Sequence, residues 1–280
     1  MDGVRPATAE DTAVLGTVAA LRRYPVKSML GEELAEAEFT GGGVTGDRAL
    51  ALLDVETGRV ATAKHPRLWR GLLRFSATRD GASVRITLPD GGTVRAGDAE
   101  VDHALSRAVG RRVHLSDVRP AGAMLERPSP QDVLEHGDDA DVPYETMEMS
   151  RGTTGGTFVD FAPVHLITTA TLDQIGAEAL RYRPNLVVDT PAGAPFAEND
   201  WVGREITAGA VRLRGVELTP RCAVPTLEHG ELPRAPHAVR AVLAQNRVEI
   251  PGSGLQPCAG LYCEVLAGGT IRAGETVRLH

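Results

Sequence analysis

At 280 residues, 42% of them hydrophobic and 24% charged, the chain has the make-up of a soluble globular protein with room for one large domain or two ordinary ones. Thirty basic residues against 37 acidic ones leave a net charge of −7, which argues against a duplex nucleic-acid binder, since such a protein normally carries a basic face, and leaves room for a local basic pocket. No apolar run reaches the roughly 18 residues of a membrane span, and Met1 leads into Asp2, Glu10 and Asp11 rather than a basic and then apolar leader, so the cytoplasm is the expected compartment.

In chain order the pattern is mostly strand-like. Residues 14–26 are apolar and partly β-branched. Gly41-Gly-Gly-Val-Thr-Gly46 satisfies G-x-G-x-x-G, but a strand pattern follows it and His65-Pro66-Arg67 stands where a ribose-binding acid is needed, so it reads as a flexible loop. Residues 48–54 and 59–62 predict a hairpin around Glu56-Thr-Gly58; residues 83–88 predict a second strand turning at Pro89-Asp-Gly-Gly92 into 93–95. Asp98 is the predicted N-cap of a helix with Val101, Leu105 and Val109 on one face and Gly110 at its end. Residues 119–151 are rich in proline and acid with little periodicity, and read as a connector. Beyond it, 171–180 predicts a helix, Pro236 opens another with Val239, Val242 and Leu243 inward, and 205–207, 210–214 and 275–279 predict strands. The fold class is mainly β (α+β), two β-rich lobes with a few peripheral helices.

Three cysteines, Cys222, Cys258 and Cys263, cannot all pair, so no disulfide scaffold holds the chain and a reducing compartment suits it. Three is one short of an all-thiolate metal site. Cys258-x4-Cys263 shares a gap with plant-type ferredoxins but lacks the next cysteine, so no built-in iron–sulfur cluster is expected. The eight histidines form no close ligand pair, and His65, His165 and His229 read as surface or core residues. Lysine is informative by scarcity: Lys27 and Lys64 are the two among 30 basic residues. In Tyr24-Pro-Val-Lys-Ser28 a turn or strand end presents an ammonium and a hydroxyl together, a pair suited to phosphate, though an ordinary surface lysine is an equal reading. Cys222 follows Arg221, which favours the thiolate, the form that ligates metals; an inert buried cysteine is the usual alternative.

Taken in order, several segments resemble the MOSC superfamily, named for the C-terminal domain of molybdenum-cofactor sulfurases, and within it the branch of the amidoxime-reducing proteins and their bacterial relatives. They are Tyr24-Pro-Val-Lys-Ser28, Gly46-Asp-Arg-Ala-Leu50 and 62–68 in the first lobe. In the second they are Asp160-Phe-Ala-Pro-Val-His-Leu166, 182–188, 196–201, Pro220-Arg-Cys222 and Gly260-Leu-Tyr262. The resemblance implies two β-barrel-like lobes: a MOSC N-terminal β-barrel domain over 14–118, the connector over 119–151, and a MOSC domain over 152–280.

It further implies a molybdenum cofactor, a molybdopterin with its metal, lying between the lobes. Cys222 falls where the family supplies its thiolate to molybdenum, a soft donor beside the two dithiolene sulfurs of the pterin. Lys27, Ser28, Arg48, Arg183 and Arg221 match residues that meet the cofactor, and Phe161, Ala162, Asn185 and Tyr262 lie at matching pocket positions. The implied activity is reduction of N-hydroxylated compounds, a small-molecule substrate, with electrons from a separate flavoprotein or ferredoxin-type partner. Thr219, where the amidoxime reductases carry a second cysteine, and Pro225-Thr226 and Glu228, where they carry paired threonines and an aspartate, depart from the pattern and bear on substrate class. No residue near the motif is identified as a proton donor. The alternatives are a persulfide or cofactor carrier acting through Cys222, or a MOSC scaffold recruited to a biosynthetic pathway.

Overall fold

The computed structural model describes residues 12–280 apart from residues 154 and 192. Seven strands close into a barrel: β1 (Ala13–Arg23), β2 (Val164–Thr168), β3 (Leu186–Asp189), β4 (Glu205–Ala208), β5 (Val211–Pro220), β6 (Gly254–Ala267) and β7 (Thr276–Leu279). The ring runs β1–β7–β4–β5–β6–β2–β3 and back to β1, and only β2–β3 is parallel. Closure leaves no open edge among these seven. Alternation along the strands sends Val18, Leu21, Leu186, Leu213, Leu261 and Val277 inward to one apolar core. β1 reaches β3 closely at Gly16, where a Cβ would lie 1.7 Å from the Asp189 carbonyl oxygen, so only glycine fits.

β1 belongs by sequence to the N-terminal block, yet it runs in this barrel. Residues that follow it build the other lobe from short sheets. Ser76–Asp80, Ser83–Thr87 and Thr93–Arg95 form a three-stranded meander, and Ala51–Asp54 pairs with Val113–Ser116. Single bridges, Val26 to Leu50 and Leu30 to Ser76, stitch these sheets over a core that includes Met29, Leu72, Phe75, Ile86 and Leu105. The hairpin expected between 48–54 and 59–62 shrinks to one bridge, Leu53 to Val60, because Ala51–Asp54 takes its ladder from 113–116.

The meander turn at 89–92 and the helix ending at Gly110, which is left-handed, follow the sequence signals. That helix spans Val101–Val109, however, and Asp98 accepts from the Arg95 amide at 2.8 Å instead of capping it. The helix expected over 171–180 divides at Gly176 into Thr169–Ile175 and Ala179–Tyr182, because Gly176 adopts φ 72° and closes the first piece. Residues 119–151 are more ordered than their composition suggests. Met124–Pro128 and Tyr144–Glu148 form a hairpin, Pro130–His136 is helical, and Leu125 packs with Ala51 and Val60 of the N-terminal lobe and with Phe158.

Candidate functional site

The barrel's β2–β3 side, the loop after β5 and the N-terminal lobe enclose a cleft of about 770 Å³, open in part to solvent. Six cationic side chains line it, Lys27, Arg48, Lys64, Arg181, Arg183 and Arg221, against one carboxylate, Asp160. That imbalance in an acidic protein marks a site for an anion.

Lys27 Nζ donates to Asp160 Oδ1 at 2.6 Å and to the Phe158 carbonyl at 3.0 Å, and Lys64 Nζ lies 3.1 Å from Asp160 Oδ2. Both lysines of the chain therefore converge on one carboxylate. Burial would raise the Asp160 pKa, but the two ammonium charges hold it well below the usual range. Burial lowers Lys27 to about 8 despite Asp160. Ser28 Oγ accepts from the Ala63 amide at 3.0 Å and fixes the 62–64 loop against the turn.

Arg48 and Arg183 both lie over the ring of buried Tyr24, their guanidinium carbons 4.7 and 4.3 Å from its centroid. Arg48 donates to Asp47 at 2.5 Å, to the Arg183 carbonyl at 3.0 Å and to Asn185 Oδ1 at 3.3 Å. Burial opposes the Arg48 charge, but Asp47 outweighs it and the pKa is raised. Arg183 is different. Its Nη1 and Nη2 are buried without a hydrogen-bond partner among the described residues, and burial, followed by the neighbouring Arg48 charge, lowers it to about 10. Ser28 (φ 65°), Arg48 (φ 43°) and Arg183 (φ 56°) all hold left-handed backbones, each at a cost of order 1–3 kcal/mol that clusters characteristically where a ligand is held. Arg183 takes this conformation because it ends the short helix Ala179–Tyr182.

Arg221 is held by acceptors alone. Its Nε donates to the Ala259 carbonyl at 2.8 Å, its Nη1 to the Tyr182 carbonyl at 3.3 Å, and its Nη2 to His165 Nε2 at 2.5 Å and to the Ala259 carbonyl. Burial, and then Arg221 itself, hold the His165 pKa well below its ordinary value, so the ring is neutral and accepts. Cys222 follows at the cleft wall, 9% exposed, packed with Ala63, Leu73, Val224 and Leu227. Neither Cys258 nor Cys263 lines the cleft, and burial raises both thiols, Cys258 to about 11.

Of the residues singled out from sequence, Lys27, Ser28, Arg48, Ala162, Arg183, Asn185, Arg221, Cys222 and Tyr262 all line this one cleft. Phe161 is not among the lining residues; its ring packs on Tyr262 with centroids 5.6 Å apart, a layer behind. Asn185 braces rather than points: Oδ1 also accepts from the His165 amide at 3.1 Å, and Nδ2 donates to the Arg22 carbonyl at 3.3 Å. Lys64, Asp160, His165 and Thr219 join the site without having been chosen. The pairing of the two lysines was foreshadowed by their rarity; Asp160 and His165 lay inside a motif whose other members drew attention. The donor set, a guanidinium unpaired among the described residues beside ammonium groups and a buried thiol, fits a phosphate-bearing group carrying a metal that accepts thiolate sulfur.

Models of two domains match the chain in tandem, the MOSC N-terminal beta barrel domain over residues 15–117 and the MOSC domain over residues 153–278. The chain is a member of the MOSC family. A human protein named mitochondrial amidoxime-reducing component 1 is 25% identical over 294 residues, covering 95% of this chain and 83% of its own length. Among solved structures, the YUAD protein of Bacillus subtilis has a TM-score of 0.44 at 12% identity, covering 96% of this chain and 97% of that one. YiiM of Geobacillus stearothermophilus has a TM-score of 0.30 at 17% identity, over 42% and 54%. The MOSC domain and its N-terminal companion thus meet at the cleft, since Lys27, Arg48 and Lys64 come from one and Arg183, Arg221 and Cys222 from the other. Among the described residues no helix is long and apolar enough to cross a membrane.

Proposed function

We propose that this MOSC protein reduces N-hydroxylated compounds at a molybdenum cofactor held in the cleft, with electrons delivered by a separate flavoprotein or ferredoxin-type protein. The observation that carries the reading is Arg183, whose buried Nη1 and Nη2 have no hydrogen-bond partner among the described residues, in the same cleft as Cys222. A buried charge without a partner is costly, and an anionic ligand removes that cost. When bound, the cofactor supplies the two-electron chemistry of N–O cleavage.

The chain's own residues divide the remaining work. Arg183, Arg48 and Lys27 would hold the anionic phosphate, with Ser28 setting the turn that presents Lys27. Cys222 would ligate the metal, and Arg221, locked by three acceptor groups, would hold the loop on which Cys222 sits. Ala162, Asn185 and Tyr262 would shape the wall, with Phe161 backing Tyr262. In this reading 14–118 and 152–280 clamp the cofactor between them and 119–151 joins them. The burial of Cys222 among Ala63, Leu73, Val224 and Leu227 supports a fixed ligand over a persulfide handed to a client, which needs an exposed sulfur. A reducing compartment suits a site whose cleft thiol must stay reduced, as the cytoplasm provides.

The test is elemental analysis for molybdenum with pterin fluorescence on protein expressed with molybdate in a cofactor-competent host. We expect both near one per chain, both reduced in Cys222→Ala, and turnover of an N-hydroxylated substrate only in the loaded protein. Full metal and full activity in Cys222→Ala would overturn the mechanism. Neither metal nor pterin, together with one extra, reductant-labile sulfur atom on Cys222, would establish the carrier instead.

A further inference from the structure

Besides Arg183, the cleft contains one other residue with a buried polar side-chain atom lacking a partner among the described residues: Thr219, at Oγ1. We propose that the Thr219 hydroxyl is the polar contact for the oxygen of the substrate's N–O group, which makes Thr219 a specificity-determining residue; the inference rests on the reductase reading above.

Four observations converge on it. Thr219 is 3% exposed and lines the cleft three positions before Cys222, on the same wall. It lies where the β5–β6 pairing slips between Leu218 and Pro220, and such irregularities re-aim a side chain out of the regular alternation. The other serine and threonine hydroxyls of the cleft are engaged: Ser28 Oγ donates to Thr62 Oγ1 at 3.4 Å and accepts from the Ala63 amide, and Thr62 Oγ1 also accepts from the Lys64 amide at 3.3 Å. Finally, the unmet groups differ in chemistry. Arg183 asks for an anion, whereas a threonine hydroxyl both donates and accepts without charge. An N-hydroxyl group does the same, and it is the group that separates the substrate from its amine, amidine or imine product. A contact to that oxygen is lost once the N–O bond is cleaved, so it favours substrate over product.

The test uses oxidised, cofactor-loaded protein without any electron donor, so that ligands bind and are not turned over. Calorimetric titration with an aryl amidoxime and with the corresponding amidine compares wild type, Thr219→Val and Thr219→Ser, each assayed for molybdenum. With metal content unchanged, Thr219→Val should bind the amidoxime about 10-fold more weakly while leaving the amidine alone, and Thr219→Ser should stay within about 2-fold of wild type, as for the loss and retention of one neutral hydrogen bond. Thr219→Ala carries the same expectation as valine should valine not fold. Amidoxime binding equal to wild type in these variants overturns the proposal, as does loss of molybdenum, which would give the hydroxyl to the cofactor. A wild-type protein that holds no molybdenum, or loaded protein that binds and reduces no amidoxime, fails at the reductase reading and takes this inference with it.

Discussion

Adjacent residues Lys64 and His65 face two different clusters of buried charge, and the clusters differ in how their charges are met. His65 Nδ1 lies 2.6 Å from Glu126 Oε2, and Glu126 also receives Arg59, so that cluster closes on itself. Lys64 faces the cleft, where Asp160 serves two lysines and, among the described residues, Arg183 Nη1 and Nη2 have no acceptor. A closed network is what a structural role requires, since every charge removed from water is compensated from within the fold. An open one persists only if something outside the chain completes it. The contrast, more than the presence of buried charge, is what points to the cleft as the site.

The largest effect should come from breaking the closed cluster. Glu126→Ala leaves His65 and Arg59 without their carboxylate and unties the 124–148 hairpin from the N-terminal lobe. We expect a loss of about 2–3 kcal/mol in urea unfolding, below the range for fully buried pairs because Arg59 is partly solvated. Molybdenum per folded chain should be unchanged. Loss of metal at undiminished stability would reverse the assignment of the two clusters.

A second, smaller effect tests a neutral group beside the open cluster. His229 is 1% exposed, donates from Nδ1 to the Leu227 carbonyl at 3.0 Å, and leaves Nε2 unpartnered among the described residues. Burial lowers its pKa to about 4, with the nearby Arg183 and Arg181 charges adding to the shift. The unfolded chain takes up this proton near the ordinary value and the folded chain resists until about pH 4, so the unfolded state binds more protons in between and stability falls on acidification. The slope contributed is about 1.4 kcal/mol per pH unit. His229→Asn, which keeps a donor for Leu227, should remove one proton's worth of that slope between pH 6 and 5, a window above most carboxylate titrations (approximate limits). An unaltered slope would mean that His229 is already protonated in the fold.

How much of this was legible beforehand depends on whether the signal was local. The 83–95 hairpin and the 101–109 helix were readable because Pro89-Asp-Gly-Gly92 and Gly110 dictate their own backbone. The closed barrel was legible only through the family resemblance, since pairing β1 with β3 and β7 joins residues near opposite ends of the chain, and no local pattern encodes a partner that distant. The 119–151 segment hid its hairpin because proline and acid dominate its composition while only a few residues, such as Leu125 and Val133, carry its packing. In the site, Cys222, Arg183 and Lys27 were accessible through motif resemblance and lysine scarcity. Thr219 registered only as a departure from that motif, and His165 as an ordinary surface or core histidine. Their importance lies in who their partners are, Arg221 for His165 and, among the described residues, none for Thr219 Oγ1, and partnership appears only in three dimensions.

The sharpest version of the comparison is Arg183→Met, where the two clusters predict opposite signs. Methionine matches the length of the arginine stem, takes the same left-handed backbone at similar cost, and replaces the guanidinium contact to Tyr24 with a thioether one. Because burial lowers Arg183 to about 10, folding works against its charge at every pH below that value. Cofactor-free Arg183→Met should therefore be more stable than cofactor-free wild type, by about 1 kcal/mol once the lost cation–π contact is set against the relief of the buried charge. In the loaded protein the order should invert, because ligand binding stabilises only a fold that retains the ligand, and the variant should lose molybdenum on dialysis faster than wild type. Unfolding curves of both proteins, with and without cofactor, decide it. If Arg183→Met destabilises the cofactor-free protein as Glu126→Ala does, the guanidinium is a structural element like Glu126, and the open cluster is no longer evidence for an anion.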